Sequence, residues 1–537
     1  MVALALALAP RLSSSASSPS SDPARELAPI GPGPTPTRGA RTTLAVWPLT
    51  PAAPDAEAGA LAGEVGDLAD LGGLVAAGLV EYLGCAGDAV TALDPHELAR
   101  GAAQAELVLS GSIAQAGGVV TVEALVTAPE GGPALRVSAS GSRRDPLALA
   151  RALYAALADK LALPEPELPV ITTSREAWRA LVLAREANLV GHYRSLDAQL
   201  LAAERAHPDM VAAKLYRAEL TLANDRTDEG KALLAEVVAR KAEVSPRDAS
   251  WAELVLLELD PARSNSFGPA IEAHLRRWPH DLEARIEELH RRFMGRGTDR
   301  LSESIPFAEA LLDAAPTVPI VASKLVRALA WTGHPEVIAD RLAAHGVRPD
   351  APNMASVFAE VALYQKDYRR ALELFREDRS DDGQTPYYGL HMALAAEMLA
   401  GDPASAAAHA KARIEAALAA GKPIWLDWTY YLWFNALIAA GQLDAALLAV
   451  DAWAERTGTD HVPRAYRGWR WELRLLMEKD PAPVLAEIHQ ALASEESAPL
   501  EVLLPMLARI ETDPSVLETW IAKLDDRLGK QMGSGTL

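Results

Sequence analysis

Residues 177–208 set apolar side chains at helical spacing on both sides of a glycine. Trp178, Leu183, Ala184 and Ala187 precede Gly191, and Tyr193, Leu196, Leu200 and Ala203 follow it before Pro208 closes the stretch. Small residues let two helix axes approach closely. Proline ends the second run because it lacks an N–H and clashes with the preceding turn. One such pair leaves an apolar face bare, so further pairs must stack on it. Copies of the pattern recur at 211–238, with Ala218 at the crossing but Gly230 where alanine is usual, and at 319–346 around Gly333. They continue at 353–375 with Ala359, Asp367, Tyr368, Ala371 and Phe375, at 386–411 with Gly401, Asp402 and Ala406, and at 424–453 with Gly441 and Ala446; 249–279 and 282–316 are irregular. Together they predict antiparallel helix pairs without a sheet over about 174–492, with Ala184 and Ala359 buried at crossings.

This spacing resembles the tetratricopeptide repeat, a helix–turn–helix unit of about 34 residues. The resemblance implies a right-handed helical-repeat solenoid that binds a protein or peptide partner. A cap for the array is expected over 498–537, where the pattern is missing, with Gly533, Ser534 and Gly535 as a frayed tail.

Ahead of the repeats the periodicity changes. Residues 42–49 read as a strand closed by Pro48 and Pro51, about 68–83 as a helix, and 89–93 as a strand. Asp94, Pro95 and Glu97 then read as the start of a helix. Residues 106–115, 119–127 and 135–140 are three strands joined through Gly117-Gly118 and Gly131-Gly132-Pro133, and 146–161 returns to helix. The run Leu44 to Leu49 (LeuAlaValTrpProLeu) resembles the first strand of the TolB amino-terminal-like domain, and Ala105 to Ser112 is similar to that family's alanine…valine-leucine-x-glycine-serine strand. That resemblance covers 42–163. It implies a signalling or envelope sensor assembly of bacteria, in which such domains precede tetratricopeptide arrays behind kinase, cyclase or DNA-binding modules. The fold class expected is therefore α+β and multidomain: a Ser/Pro-rich disordered leader (1–41), a small α/β domain (42–163), a Pro-rich linker (164–173), an all-α repeat array (174–497) and a helical cap with tail (498–537).

At 537 residues the chain exceeds what one hydrophobic core sustains. Its 52 Lys and Arg against 72 Asp and Glu give a net charge of −20, a field that repels nucleic acid, so no nucleic-acid partner is expected. The single cysteine, Cys85, excludes an internal disulfide framework and leaves the compartment open. Residues 2–9 are apolar but are followed by Pro10 and Arg11, short of the roughly 20 residues that span a bilayer. They read as a leader of a soluble, cytoplasmic chain, or as the tail of a membrane segment of a longer parent, which would make the chain extracytoplasmic and membrane-associated.

The sequence holds no G-x-x-x-x-G-K-[ST], G-x-S-x-G, H-E-x-x-H or C-x-x-C motif, and Gly295-Arg296-Gly297 reads as a helix-end turn. Asp378, Ser380, Asp382 and Gly383 imitate half a calcium loop, but Gly389 stands where the bidentate Glu belongs. No catalytic residue, metal site or cofactor is expected. Six of the twelve tryptophans lie between Trp425 and Trp471, a concentration that predicts ring packing between helices. On the helix expected over 463–477, Tyr466, Trp469, Leu473 and Leu476 form an inward side; Arg464, Arg467, Arg470 and Arg474, with Trp471, form a separate one. This arginine stripe is the candidate partner-binding site, for a protein or peptide carrying an acidic or phosphate group, with ordinary surface ion pairs as its competing explanation. The function expected is a non-catalytic interaction scaffold or sensor module. The alternative is a small-ligand-binding regulatory domain at 42–163 coupled to the array, detached from a kinase or cyclase receptor.

Overall fold

The computed structural model describes residues 42–52, 62–85, 90–92, 105, 107–116, 118–128, 134–165, 168–223, 226–260, 263, 266–294, 298–351, 353–377, 387–419, 426–457, 464–478, 480–493 and, beyond these, 515, 518, 519 and 522. The predicted helix opening at Asp94, the calcium-like loop, the Gly295 turn and most of the predicted cap lie outside them. The described chain is mostly helical with a small mixed sheet, an α+β layout.

The sheet unit comprises β1 (Thr42–Val46), β2 (Thr50–Pro51), α1 (Ala62–Gly84), β3 (Val90–Ala92), β4 (Leu107–Ala116), β5 (Val119–Thr127), β6 (Leu135–Ser142) and α2 (Pro146–Leu161). Strand order is β3-β1-β4-β5-β6, with β1 parallel to both neighbours and β4 to β6 an antiparallel meander. β2, absent from the sequence expectation, adds a two-residue parallel pairing to β4 at Ser112 and Ile113. Alternation in β5 decides which face is covered: Val120, Val122, Ala124 and Val126 are buried, while Val119 and Leu125 look out. α1 and α2 cover that buried face. α1 starts well before residue 68, and Gly72 lets it cross the β1–β2 connection, since a Cβ there would stand 2.1 Å from the Leu49 carbonyl oxygen. Asp145 caps α2 through the Ala148 N–H, with Pro146 in the first turn.

From α3 (Arg175–Leu189) onward the described residues contain helices and short 3-10 turns only, in a chain of pairs: α3 with α4 (Tyr193–Ala206), α5 (Val211–Ala223) with α6 (Thr227–Ala239), α7 (Pro246–Glu258) with α8 (Phe267–Arg277) and α9 (Leu282–Met294) with α10 (Thr298–Ala314). α11 (Pro319–Trp331) and the short α12 (Ile338–Ala344) follow, then α13 (Ala355–Tyr364) with α14 (Tyr368–Glu377), α15 (Tyr387–Leu399) with α16 (Pro403–Ala419), α17 (Leu426–Ala439) with α18 (Leu443–Thr457), and α19 (Arg464–Met477) with α20 (Ala482–Ala493). The stretches 249–279 and 282–316, irregular in sequence, form helices in the same alternation. The first helix of a pair also meets the first helix of the next: α3 with α5, α5 with α7, α9 with α11, α11 with α13, α13 with α15 and α15 with α17. The first helices thus line up in a row, in which α7 reaches α9 through the Arg247–Glu283 ion pair. Ala184 and Ala359 are fully buried in the row.

The turns inside five pairs share one construction. Gly191, Gly333, Gly401 and Gly441 hold φ between 74° and 96°, and the N–H of the next residue reaches back to a helix carbonyl, as in His192 N to Ala187 O at 2.8 Å and Gln442 N to Leu437 O at 2.8 Å. This left-handed stop satisfies the last carbonyls of the first helix. In the α13–α14 turn Lys366 takes that position, at φ 66°, with Asp367 N bonded to Ala362 O at 2.9 Å. A side chain in that region costs about 1–2 kcal/mol. Lys366→Gly is therefore expected to stabilise the chain by about 1 kcal/mol in denaturant titration, and Gly441→Lys to destabilise it similarly. Shifts of equal sign would refute the shared turn.

Candidate functional site

The row of first helices carries charged groups into its interior, beginning where the sheet unit meets it. α1 turns Asp67, Asp70 and Glu81 toward α3, and α3 answers with Arg175, Arg179 and Arg185. Arg175 Nη2 stands 2.9 Å from a carboxylate oxygen of Asp67 and 2.9 Å from one of Asp70, and Arg179 Nε stands 2.8 Å from Asp70. Two indoles read the α1 backbone: Trp178 Nε1 donates to Leu74 O at 3.0 Å, and Trp278 Nε1 to Gly84 O at 3.2 Å. Trp178 is fully buried, and Leu74 and Leu147 of the sheet unit join its apolar cluster.

Arg185 is the hub of this junction. One guanidinium nitrogen pairs with Glu81 of α1, the other lies 2.7 Å from Asp248 of α7, and the central carbon stands 5.8 and 5.6 Å from the ring centroids of Trp178 and Tyr216. Asp248 has no exposed side-chain surface; Ser245, which caps α7, accepts its N–H at 3.1 Å. Arg247, the neighbouring residue, reaches Glu283 at 2.9 Å, Asp248 at 3.3 Å and Asp281 at 3.5 Å. Asn188 Nδ2 donates to Glu219 at 2.7 Å and lies 3.5 Å from Glu283, so these two carboxyls share one amide. Trp251 donates to the other oxygen of Glu219.

Five carboxyls (Glu81, Glu219, Asp248, Asp281, Glu283) thus surround two guanidiniums, those of Arg185 and Arg247. Burial raises Glu219 and Glu283 above the ordinary carboxyl range, against the pull of their hydrogen bonds and of Arg247. Glu287, one turn along α9, rises to about 7 through burial and the nearby Glu258.

Further along the row, Lys324 of α11 is buried, hydrogen-bonded to His290 Nδ1 at 3.1 Å and 4.4 Å from the Phe293 ring centroid. Burial and Arg327 bring its ammonium down to about 8, and burial with Lys324 takes His290 to about 4. Arg327 holds Glu360 of α13 at 3.1 Å, and Ser323 donates to the same carboxylate at 2.8 Å. Trp331, at the end of α11, lies 5.1 Å between ring centroids from Phe293 of α9, acts on Tyr364 of α13, and is 41% exposed.

Ser250, His274 and Asp281 form a chain with links of 2.9 and 2.9 Å. Its residue types are those of a nucleophile, a base and an orienting acid. Yet Asp281 also caps α9 through the Ala284 N–H at 3.2 Å and pairs with Arg247, which makes the chain a tie among α7, α8 and α9. Among the described residues no three His, Cys, Asp or Glu side chains converge as a metal site, and no helix is long and apolar enough to cross a membrane.

The predicted arginine stripe divides. Arg470 lies 3.2 Å from Asp451 of α18 and is about half exposed. Arg474 reaches Glu478 at 2.8 Å and Glu487 of α20 at 2.7 Å. Trp471 is buried, its Nε1 3.3 Å from Glu487. The side chains of Arg464, Arg467 and Tyr466 lie outside the described residues. Leu473 is fully buried as expected, but Leu476 is 57% exposed because the last turn of α19 runs past its cover. The aromatic concentration packs as predicted: Trp469 meets Tyr431, Phe434 and Trp453 at 5.0, 4.8 and 5.3 Å.

Sequence reading missed the Arg185 cluster and Trp331. The usable signal was Arg185 and Arg247 on otherwise apolar helix faces, where a charge requires a partner. Compared with known proteins, the chain matches no family model and no curated protein sequence.

Glu219 and Glu283 bind protons more tightly folded than unfolded. The stability they contribute is complete below the ordinary carboxyl range and is lost as pH rises through the raised values. Melting temperature is expected to fall from about pH 5 to about pH 9, and Glu283→Gln to flatten that fall. An unchanged slope in the variant would contradict the assignment.

Proposed function

We propose that this chain is a non-catalytic protein-interaction scaffold or sensor module that recognises a partner protein or peptide along the first-helix row of a tetratricopeptide-like array. The observation carrying this reading is Trp331: a part-exposed indole of α11 packed on Phe293 of α9, near Tyr364 of α13. Tryptophans anchored in this way dominate the energetics of recognition surfaces. The largely buried Arg327–Glu360 pair ties α11 to α13, so rigid helices present the ring at little ordering cost. The arginine stripe of α19 stays a secondary contact in this reading, offering Arg470 to an acidic or phosphate group once Asp451 is displaced. Membership of a bacterial signalling or envelope assembly follows from the TolB amino-terminal-like resemblance.

A second reading, in which the sheet unit senses a small ligand, has one observation in its favour. A cleft of about 260 Å³ opens between β1, α1 and α3, lined by Val46, Pro48, Leu74, Val80, Val182 and Leu183.

Selection of a displayed peptide library on the full chain tests the main reading. Trp331→Ala is expected to weaken the selected peptides at least about tenfold, the loss of one hot spot, while Leu448→Ala, an exposed site on α18, leaves them unchanged. Equal effects, or selection of no peptide, would overturn it.

A further inference from the structure

We propose that Glu219 and Glu283 form a proton-operated latch that sets how firmly the sheet unit docks on the helix array. While the pair keeps a proton, the guanidinium of Arg185 is left to Glu81 of α1. When both carboxyls ionise, Arg185 is drawn toward the array and Glu81 is released.

The geometry supplies each part. Arg185 is the buried cation common to both sides, facing Glu81 with one nitrogen and Asp248 with the other. The pair faces, from α3, Arg185 and the neutral Asn188; from α4, Tyr193; from α5, Tyr216; from α7, Arg247 and Asp248; and from α9, Asp281 and Glu287, while Glu81 of α1 meets it through Arg185. His274 of α8 acts on it through Asp281, and Lys324 of α11 through Glu287. Glu219 receives only neutral donors, from Asn188 and Trp251. Glu283 has one guanidinium contact, and Arg247 divides that with Asp248 and Asp281. A fully ionised cluster therefore needs more positive charge than Arg247 supplies, and Arg185 is the nearest further source. The pairs of Arg175 and Arg179 with Asp67 and Asp70 stand apart from this cluster, near the start of α1, and keep that end attached. Loosening is thus confined to the Glu81 end, where Trp278 holds Gly84. Burial raises both members of the pair, Glu219 adds to the rise of Glu283 and Asp248 to that of Glu219, so their ionisation falls above the ordinary carboxyl range.

Cys85, the only cysteine, follows Gly84 directly and is partly buried, which makes it a native reporter of this end. The test is the alkylation rate of Cys85 by N-ethylmaleimide in the full chain at about pH 6 and about pH 9. Dividing the wild-type rate by that of Glu219→Gln/Glu283→Gln at each pH cancels the thiol's own titration. The expected ratio is near one at the lower pH and at least about tenfold at the higher, the factor for a site opening by about 1.4 kcal/mol. Removing Glu81 also eases ionisation of the Cys85 thiol directly, an offset shared by both pH values, so this variant is read by its ratio to wild type: the wild-type rate divided by that of Glu81→Gln should rise about tenfold from the lower pH to the higher. A constant value of either ratio would overturn the proposal; the second arm decides alone if the double variant fails to fold.

Discussion

Arg185 is the interaction on which the arrangement depends. A guanidinium cannot be buried without compensation, and here the compensation comes from two units at once: Glu81 of the sheet unit and Asp248 of the third helix pair. The ring centroids of Trp178 and Tyr216 lie 5.8 and 5.6 Å from its central carbon, so the aromatic surroundings add a cation–π attraction to the two carboxylates. Removing one partner would leave a buried charge uncovered, a larger loss than the pair's net worth. The sheet unit is thereby fixed to a particular place on the helix row instead of hanging from the Pro-rich linker.

The same constraint explains why charge continues along the row. First helices pack against each other on both sides, so their polar residues are enclosed and must find partners across helices. Glu219 does so through Asn188 and Trp251, Lys324 through His290, and Glu360 through Arg327 and Ser323. At Trp331 the seam reaches the surface as a part-exposed ring packed on Phe293.

What was legible in the sequence was local. The strand at 119–127 and the helix at 146–161 coincide with β5 and α2, because alternation, the glycine turn and the Asp-Pro cap are all encoded by near neighbours. Four helix pairs announced themselves through turn glycines, and in a fifth Lys366 occupies the same left-handed position without the residue type that signals it. The seam was not legible, because its partners are remote in sequence: Arg185 is 104 residues from Glu81 and 63 from Asp248. Periodicity shows that Arg185 lies in an apolar helix but cannot say which acids will meet it. The α19 arginines show the converse case. A helix drawn alone displays a stripe of like charge, and the ion pairs set against partner binding come from neighbouring helices, Glu487 of α20 meeting Arg474 and Asp451 of α18 meeting Arg470.

The central claim is that Arg185 makes the sheet unit and the first helix pairs a single cooperative body. Calorimetric unfolding of Arg185→Met, which keeps the apolar stem and removes the charge, addresses it most directly. The account predicts that the sheet unit melts separately and at lower temperature in the variant, whereas in the wild-type chain it melts together with the first pairs. The same transitions at the same temperatures in both chains would contradict it.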